Sequence, residues 1–217
     1  MSVLPLQCQA LDELLGGGLE PGIITKVYGE AGTGKTNLLL QACRECVRAG
    51  EQAAYIDTEG VSMERLRQIC TPEEYQKVLR NILFFTPTSL KEQEKTIPKT
   101  LKLKHITLLV IDTINMLYRA EIEGDTDGVR RSFVRQMTTL QLTARKQNLI
   151  VVLAEQVYTD RKGEIKPFTH HETEHMSKTI LRLDRLGIGR RQATLIKHRF
   201  QPEGKTTTFF ITAHGLE

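Results

Sequence analysis

Apolar residues in this chain fall into short continuous runs separated by stretches with helical spacing. Ile23-Ile24-Thr25-Lys26-Val27, Ala53 to Asp57, Ile82 to Phe85, Leu108-Leu109-Val110-Ile111-Asp112 and Leu149 to Ala154 each read as a buried strand. Between them lie helical stretches: 7–15, with Leu11, Leu14 and Leu15; the segment carrying Leu38-Leu39-Leu40 and Val47; and 62–70, 72–80 and 89–103. The longest, 127–147, repeats Val129, Phe133, Met137, Leu140 and Ala144 on one face, with Asp125 or Thr126 placed to cap it. Gly16-Gly17-Gly18 and Gly50 stop the first two helices. Strands alternating with helices predict an α/β fold with a mainly parallel twisted sheet flanked by helices. The tail differs. Thr179–Asp184, Arg191–Lys197 and Thr207–Thr212 read as strands joined by turns at Gly187-Ile188-Gly189 and Pro202-Glu203-Gly204. They predict antiparallel strands added at the C-terminal edge.

Composition narrows the class. A chain of 217 residues suits one domain over 1–217. No apolar run approaches the ~20 residues needed to span a bilayer. Met1 to Gln9 lacks the basic-then-apolar order of a signal peptide, so a cytoplasmic protein with no membrane partner is expected. The net charge of +4 is mild. Its distribution is more informative, because Lys178, Arg182, Arg185, Arg190, Arg191, Lys197 and Arg199 face only Asp184 in their segment. Such a segment suits a polyanion, although a solvated hairpin face would read the same way. Cys43-Arg44-Glu45-Cys46 has C-x-x-C spacing. It falls inside a helix with no second ligand pair, which favours small buried thiols over zinc or redox chemistry. His170, His171 and His175, with Glu172 and Glu174, are loosely spaced in a loop, a poor frame for a metal.

The strongest chemical signal is Gly29-Glu30-Ala31-Gly32-Thr33-Gly34-Lys35-Thr36, which fits G-x-x-x-x-G-K-[ST] between a strand and a helix. Glycines let the backbone wrap an anion, the amides of Gly32, Gly34 and Lys35 turn inward, and the helix dipole adds positive potential. Lys35 can reach β- and γ-phosphates and the Thr36 hydroxyl can ligate Mg²⁺. ATP and Mg are the implied cofactors. Asp112, ending an apolar strand, is placed to hold the Mg²⁺ through water. Glu59, just past another strand end, can polarise an attacking water. Gln156, after Val151 to Glu155, can hydrogen-bond a γ-phosphate and move the next loop when it leaves.

These pieces resemble the ATPase core of the RecA/RadA recombinase family, in the same order: Leu14-Leu15-Gly16-Gly17-Gly18, the phosphate loop, Tyr55-Ile56-Asp57-Thr58-Glu59-Gly60, Leu108 to Asp112, Leu117-Tyr118-Arg119 and Glu155-Gln156-Val157. His175-Met176-Ser177 is similar to part of that family's second DNA-binding loop. The resemblance covers nearly the whole chain and implies a RecA-like P-loop NTPase core. It also departs from full recombinases. The phosphate loop starts at residue 29, with no room before it for a helix-hairpin-helix domain or for the segment that links recombinase protomers. The second loop, about 157–174, is short, and residue 155 is Glu in place of the usual Asn. A core-only chain of this kind is similar to the RadB branch of archaeal recombinase paralogues.

That resemblance implies a weak Mg-dependent ATPase that binds DNA, single strands favoured and without sequence preference. It implies an assistant to a RecA/RadA-type recombinase in homologous recombination and repair, without robust strand exchange of its own. A Holliday-junction resolvase is a further partner to consider. DNA candidates are Arg119, Arg130 and Arg131 after the Asp112 strand, and Arg161, Lys162 and Lys166 after Gln156, with Tyr118, Tyr158 and Phe168 for base stacking. Lys197-His198-Arg199 matches the place where some RecA-like proteins touch a neighbour's γ-phosphate. Strict alternation over 191–198 would put Lys197 and Arg199 on one face, which fits ATP-dependent self-association, or else a basic DNA or solvent surface. Two other functions compete: a self-sufficient strand-exchange recombinase, and a nucleotide-switched regulator with no DNA role.

Overall fold

The computed structural model describes residues 3–122, 126–160, 163, 165–168 and 174–217. Strands β1 (Ile24–Tyr28), β2 (Gln52–Asp57), β3 (Ile82–Phe85), β4 (Ile106–Asp112), β5 (Ile150–Glu155), β8 (Thr179–Arg185), β9 (Arg190–Lys197), β10 (Thr206–Thr212) and β11 (Gly215–Leu216) form one nine-stranded sheet in the order β11-β10-β9-β8-β1-β5-β4-β2-β3. From β8 to β3 every pairing is parallel, and β9, β10 and β11 add antiparallel strands at the other side. This is the expected architecture. Two short strands, β6 (Val157–Thr159) and β7 (Ile165–Pro167), form a separate antiparallel pair inside the stretch expected to be a loop.

Side-chain alternation along the central strands divides the core. Val27, Leu108, Val110, Val152 and Ala154 pack with Leu38, Leu39, Leu40 and Val47 of α2 (Lys35–Arg48) and with Leu11 and Leu14 of α1 (Gln9–Leu14). Ile24, Leu109, Ile111, Val151 and Leu153 turn to the opposite face. There they meet Val129, Phe133, Met137, Leu140 and Ala144 of α7 (Thr126–Gln147), the periodic set read from the sequence. Asp125 and the Thr126 side chain, the expected caps of α7, lie outside the described residues.

Helices α3 (Met63–Ile69), α4 (Pro72–Arg80) and α5 (Leu90–Thr100) begin at the hydroxyls of Ser62, Thr71 and Ser89, each accepting a backbone amide of the first turn. Helix α6 (Met116–Glu121) follows β4 at once. Asp57, Asp112 and Glu155 end parallel strands, as Tyr28 does, and register pairs Asp57 with Asp112 and Tyr28 with Glu155. The segments singled out for chemistry therefore leave the sheet along one edge.

Candidate nucleotide site

The loop from Gly29 to Thr36 connects β1 to α2 and is held from outside. The Arg191 Nε donates to the Gly32 carbonyl at 3.0 Å, and the Thr33 hydroxyl donates to the Glu30 carbonyl at 2.8 Å. A Cβ at residue 29 would stand 2.3 Å from the Leu183 carbonyl oxygen, so only glycine passes β8 there. Gly34 takes φ of +104° as the residue preceding α2, a left-handed conformation. No side chain caps α2, in contrast to α3, α4 and α5. Its first amides remain available to an anion.

Lys35 turns back over the loop and donates to the Gly29 carbonyl at 2.7 Å and the Glu30 carbonyl at 3.0 Å. Burial lowers its pKa, against the opposing pull of Glu59 and Asp112. A phosphate oxygen is a better partner for this ammonium than two carbonyls, because both ends of the bond are then charged.

Asp112 is buried at the end of β4. Its Oδ2 accepts from the Thr36 hydroxyl and from the Tyr55 hydroxyl, each at 2.7 Å. Its Oδ1 is buried and has no hydrogen-bond partner among the described residues. Burial raises its pKa, the two hydroxyls lower it, and Glu59 and Asp57 add to the rise. A buried carboxylate with one orphaned oxygen, beside a threonine hydroxyl and a lysine, is the donor set expected for a water-bridged divalent cation. Tyr55 escaped the sequence reading as anything but strand core. Its phenol, with its pKa pushed well up by burial, stays neutral and fixes the Asp112 carboxylate.

Glu59 stands on a turn built by Asp57. The Asp57 carboxylate accepts from the backbone amides of Glu59, Gly60 and Val61 at 3.1, 2.8 and 2.7 Å. Oε1 of Glu59 accepts from the Thr113 hydroxyl at 3.0 Å and from Nε2 of Gln156 at 2.6 Å. Gln156 is clamped in turn by Asn115, whose Nδ2 donates to the Gln156 carbonyl at 3.0 Å and whose Oδ1 accepts from the Gln156 amide at 2.9 Å. Asn115 is fully buried. Sequence reasoning missed it, since a lone Asn three residues past a strand carries no motif.

Gly29, Lys35, Glu59, Arg119 and Gln156 line one cavity of about 390 Å³. The structure thus brings together the phosphate loop, Glu59 and Gln156, with Asp112 bonded to Thr36 just beneath. It also brings in Arg119, expected on a DNA surface. Other candidates lie elsewhere. Arg130 and Arg131 are exposed on the first turns of α7. Lys166 lies in β7, its Nζ 2.5 Å from Asp160 Oδ2. Arg161, Lys162, His170, His171 and Glu172 lie outside the described residues. Cys43 and Cys46 are buried in α2, and burial raises both thiol pKa values, that of Cys46 to about 11.

The alternation expected across 191–198 holds to Leu195 and does not continue to Lys197. The register shifts between β8 and β9, with Leu181 opposite Leu195 but Ile180 opposite Lys197. Such a bulge interrupts alternation, so Lys197 leaves the face of Ala193 and Leu195. The strand ends at Lys197, which places Arg199 beyond the ladder. Lys197 donates to the Glu174 carbonyl at 2.9 Å, whereas Arg199 reaches Glu20 Oε2 at 3.3 Å. Both stand near the start of β8, away from the phosphate-loop edge. A buried ion pair also went unread: Lys26 Nζ and Glu155 Oε2 are 3.5 Å apart, almost completely sequestered between β1 and β5.

Comparison with known proteins gives a consistent picture. The Rad51 family profile matches residues 3–217. The "DNA repair and recombination protein RadB" of Methanococcoides burtonii is 42% identical over 214 residues, covering 96% of this chain and 95% of that protein. The protein of the same name from Archaeoglobus fulgidus is 38% identical over 223 residues, covering 99% and 98%. A solved structure, "Crystal structure of the RadB recombinase", superposes with a TM-score of 0.87 at 38% identity, covering 99% of this chain and 98% of the other.

Proposed function

Because this chain belongs to the Rad51 family, on its RadB branch, we propose that it is an ATP-binding, weakly ATP-hydrolysing accessory protein of homologous recombination and DNA repair. It binds DNA, single strands favoured, and assists a RecA/RadA-type recombinase without robust strand exchange itself. The observation that carries this reading is the convergence of Lys35, Glu59 and Gln156 on one cavity above the Thr36–Asp112 pair. The segment 1–217 is read as one core domain that works in the cytoplasm. No helix among the described residues is long and apolar enough to cross a membrane.

The residues divide the work of hydrolysis. The uncapped start of α2 and the Lys35 ammonium hold the β- and γ-phosphates once Lys35 leaves the Gly29 and Glu30 carbonyls. Thr36 and Asp112 would hold Mg²⁺, Asp112 through water, and the ion would supply charge neutralisation of the phosphates. Glu59 accepts the proton of the attacking water. Both its hydrogen bonds fall on Oε1, which leaves Oε2 for that water. Gln156 can exchange its bond with Glu59 for one with the γ-phosphate, and it begins the hairpin β6–β7, so nucleotide state reaches the second loop. Arg130 and Arg131, with Lys166 and with Arg161 and Lys162, are the proposed phosphate contacts for DNA. Lys197 and Arg199 keep a trans role only if a neighbouring subunit brings them to another molecule's loop, since they stand away from their own.

The test has two arms. Lys35→Ala should weaken Mg-ATP binding at least about tenfold in calorimetry, from the loss of a charge-assisted bond. Unchanged affinity would remove the nucleotide site. Loading of a RecA/RadA-type recombinase onto single-stranded DNA should change when the wild-type protein is added. A loading curve identical with and without it would leave an ATPase with no accessory role, and strand exchange by the protein alone would favour the recombinase reading.

A further inference from the structure

Among the described residues, Arg119 is the one basic DNA candidate that lines the cavity shared with Lys35 and Glu59. It projects from α6, the helix that starts next to Asn115. Its Nη1 approaches Oε1 of Gln156 at 3.5 Å, and its guanidinium carbon lies 4.2 Å from the centre of the Phe168 ring. Phe168 also packs at a tilt against Tyr158, with ring centres 4.9 Å apart, and its backbone amide donates to the Gln156 carbonyl at 3.4 Å. One guanidinium therefore touches both ends of the segment 156–168. No carboxylate pairs with it among the described residues.

These holds are weak: a long contact to a neutral amide, and a ring face met by an arginine that is itself exposed. A guanidinium matches phosphate geometry with two parallel donors, and a charged acceptor outcompetes both present partners. On the ATP reading of this cavity, Lys35 meets the β- and γ-phosphates from the loop side, and Glu59 and Gln156 stand at the γ end. Arg119 stands with the outer pair. A diphosphate leaves it on Phe168, whereas a triphosphate places an anion within its range.

We infer that Arg119 reads the terminal phosphate of a nucleoside triphosphate from within its own subunit, and that Phe168 is the latch it leaves when it does. Release of Arg119 from Phe168 and Gln156 has two consequences. Gln156 loses the partner on Oε1 that orients its amide toward Glu59, and hairpin β6–β7 loses its attachment to α6. The inference rests on reading the cavity as an ATP site. It goes beyond that reading by giving a presumed DNA contact a role in distinguishing ATP from ADP.

The experiment compares Mg-ADP with the Mg complex of a non-hydrolysable ATP analogue, AMP-PNP, in calorimetry without DNA. Arg119→Ala should weaken AMP-PNP binding about tenfold while ADP binding stays within about twofold, the difference made by one charge-assisted contact. Phe168→Leu, which touches no phosphate, should strengthen AMP-PNP binding and leave ADP unchanged, because it removes the competing site for the guanidinium. Amide hydrogen exchange over 157–168 supplies a cycle. Phe168→Leu should speed exchange in the nucleotide-free protein but add little once AMP-PNP is bound. Equal losses for ADP and AMP-PNP in Arg119→Ala would make Arg119 merely structural and overturn the inference. So would an unchanged AMP-PNP/ADP ratio with weaker DNA binding, which would make it a DNA contact only, and so would AMP-PNP binding by Phe168→Leu equal to wild type. If wild type binds neither nucleotide, the site reading itself fails, an outcome distinct from the others.

Discussion

Asn115 offers a sharp test of how the site is held, because its two bonds to the Gln156 backbone can be removed without substituting any residue proposed to meet nucleotide. Asn115→Ala leaves the Gln156 amide without its partner, and the Gln156 carbonyl with only the long bond from the Phe168 amide, in a spot where Asn115 is fully buried. The orphaned amide costs roughly 1–3 kcal/mol and the lost bond to the carbonyl about 1 kcal/mol more, so the change should cost about 2–4 kcal/mol. For a chain of this size a kilocalorie moves the melting temperature by roughly 2–4 °C, which predicts a fall on the order of 5–15 °C. Turnover should also drop at temperatures well below the melt, since the Gln156 backbone aims the side chain that bonds Glu59 at 2.6 Å. Gln156→Ala is the contrasting variant. It keeps both Asn115 bonds and loses only the side-chain amide, so turnover should fall while the melt stays within about 2 °C, a fraction of a kilocalorie. Calorimetric melts and steady-state phosphate release measure both quantities. A wild-type melt for Asn115→Ala would refute the clamp, and wild-type turnover in the folded variant would refute its link to chemistry.

Three further outcomes are expected. Glu59→Gln should keep ATP affinity and lower turnover about 10²–10⁴-fold, because the amide retains size but loses basicity; equal rates in preparations cleared of contaminating ATPase would exclude Glu59 as the base. Lys26→Met should destabilise by roughly 3–5 kcal/mol by leaving Glu155 charged and buried, and adding Glu155→Leu should recover most of it; urea melts of the two variants test this, and equal stabilities would count against the ion pair. His198 has a side chain about 1% exposed beside Glu20, and burial holds its pKa below 6.5 despite that carboxylate. The unfolded chain therefore takes up the proton first, and this contribution to stability is lost as pH falls through 6.5 toward the lower folded value. His198→Gln should flatten that part of the pH–melting curve, and a slope unchanged between pH 8 and 5 would show that His198 contributes nothing to it.

What the sequence made legible was whatever is encoded locally. The apolar runs became the parallel strands within a residue or two, because a strand buried on both faces needs nothing but continuous apolar side chains. The phosphate loop was readable because its glycines answer backbone demands, a close approach at Gly29 and a left-handed φ at Gly34, that few other residues meet. The supporting residues were not legible, since their roles arise between distant segments. Tyr55 and Asp112 are 57 positions apart, and so the phenol that fixes the carboxylate looked like strand filler. Lys197 shows the opposite failure. Its alternation was a sound local rule, and it broke at a bulge set by pairing with β8, which no local pattern announces.

Arg119 lies between these cases, and its placement has consequences for how the chain is read. In the sequence it ends Leu117-Tyr118-Arg119 and counts among the basic residues available to a polyanion. Its charge says anion without saying which anion, because DNA phosphates and a nucleotide's terminal phosphate present the same chemistry. Only the fold separates them. Helix α6 follows β4 with almost no loop, which brings Arg119 back to the strand-end edge and over the cavity. Arg130 and Arg131, on the next helix, remain exposed. Basic residues close together in sequence are thus divided between an interior anion site and an exterior one. If the interior one answers to ATP, then the hairpin it holds is presented to DNA according to nucleotide state.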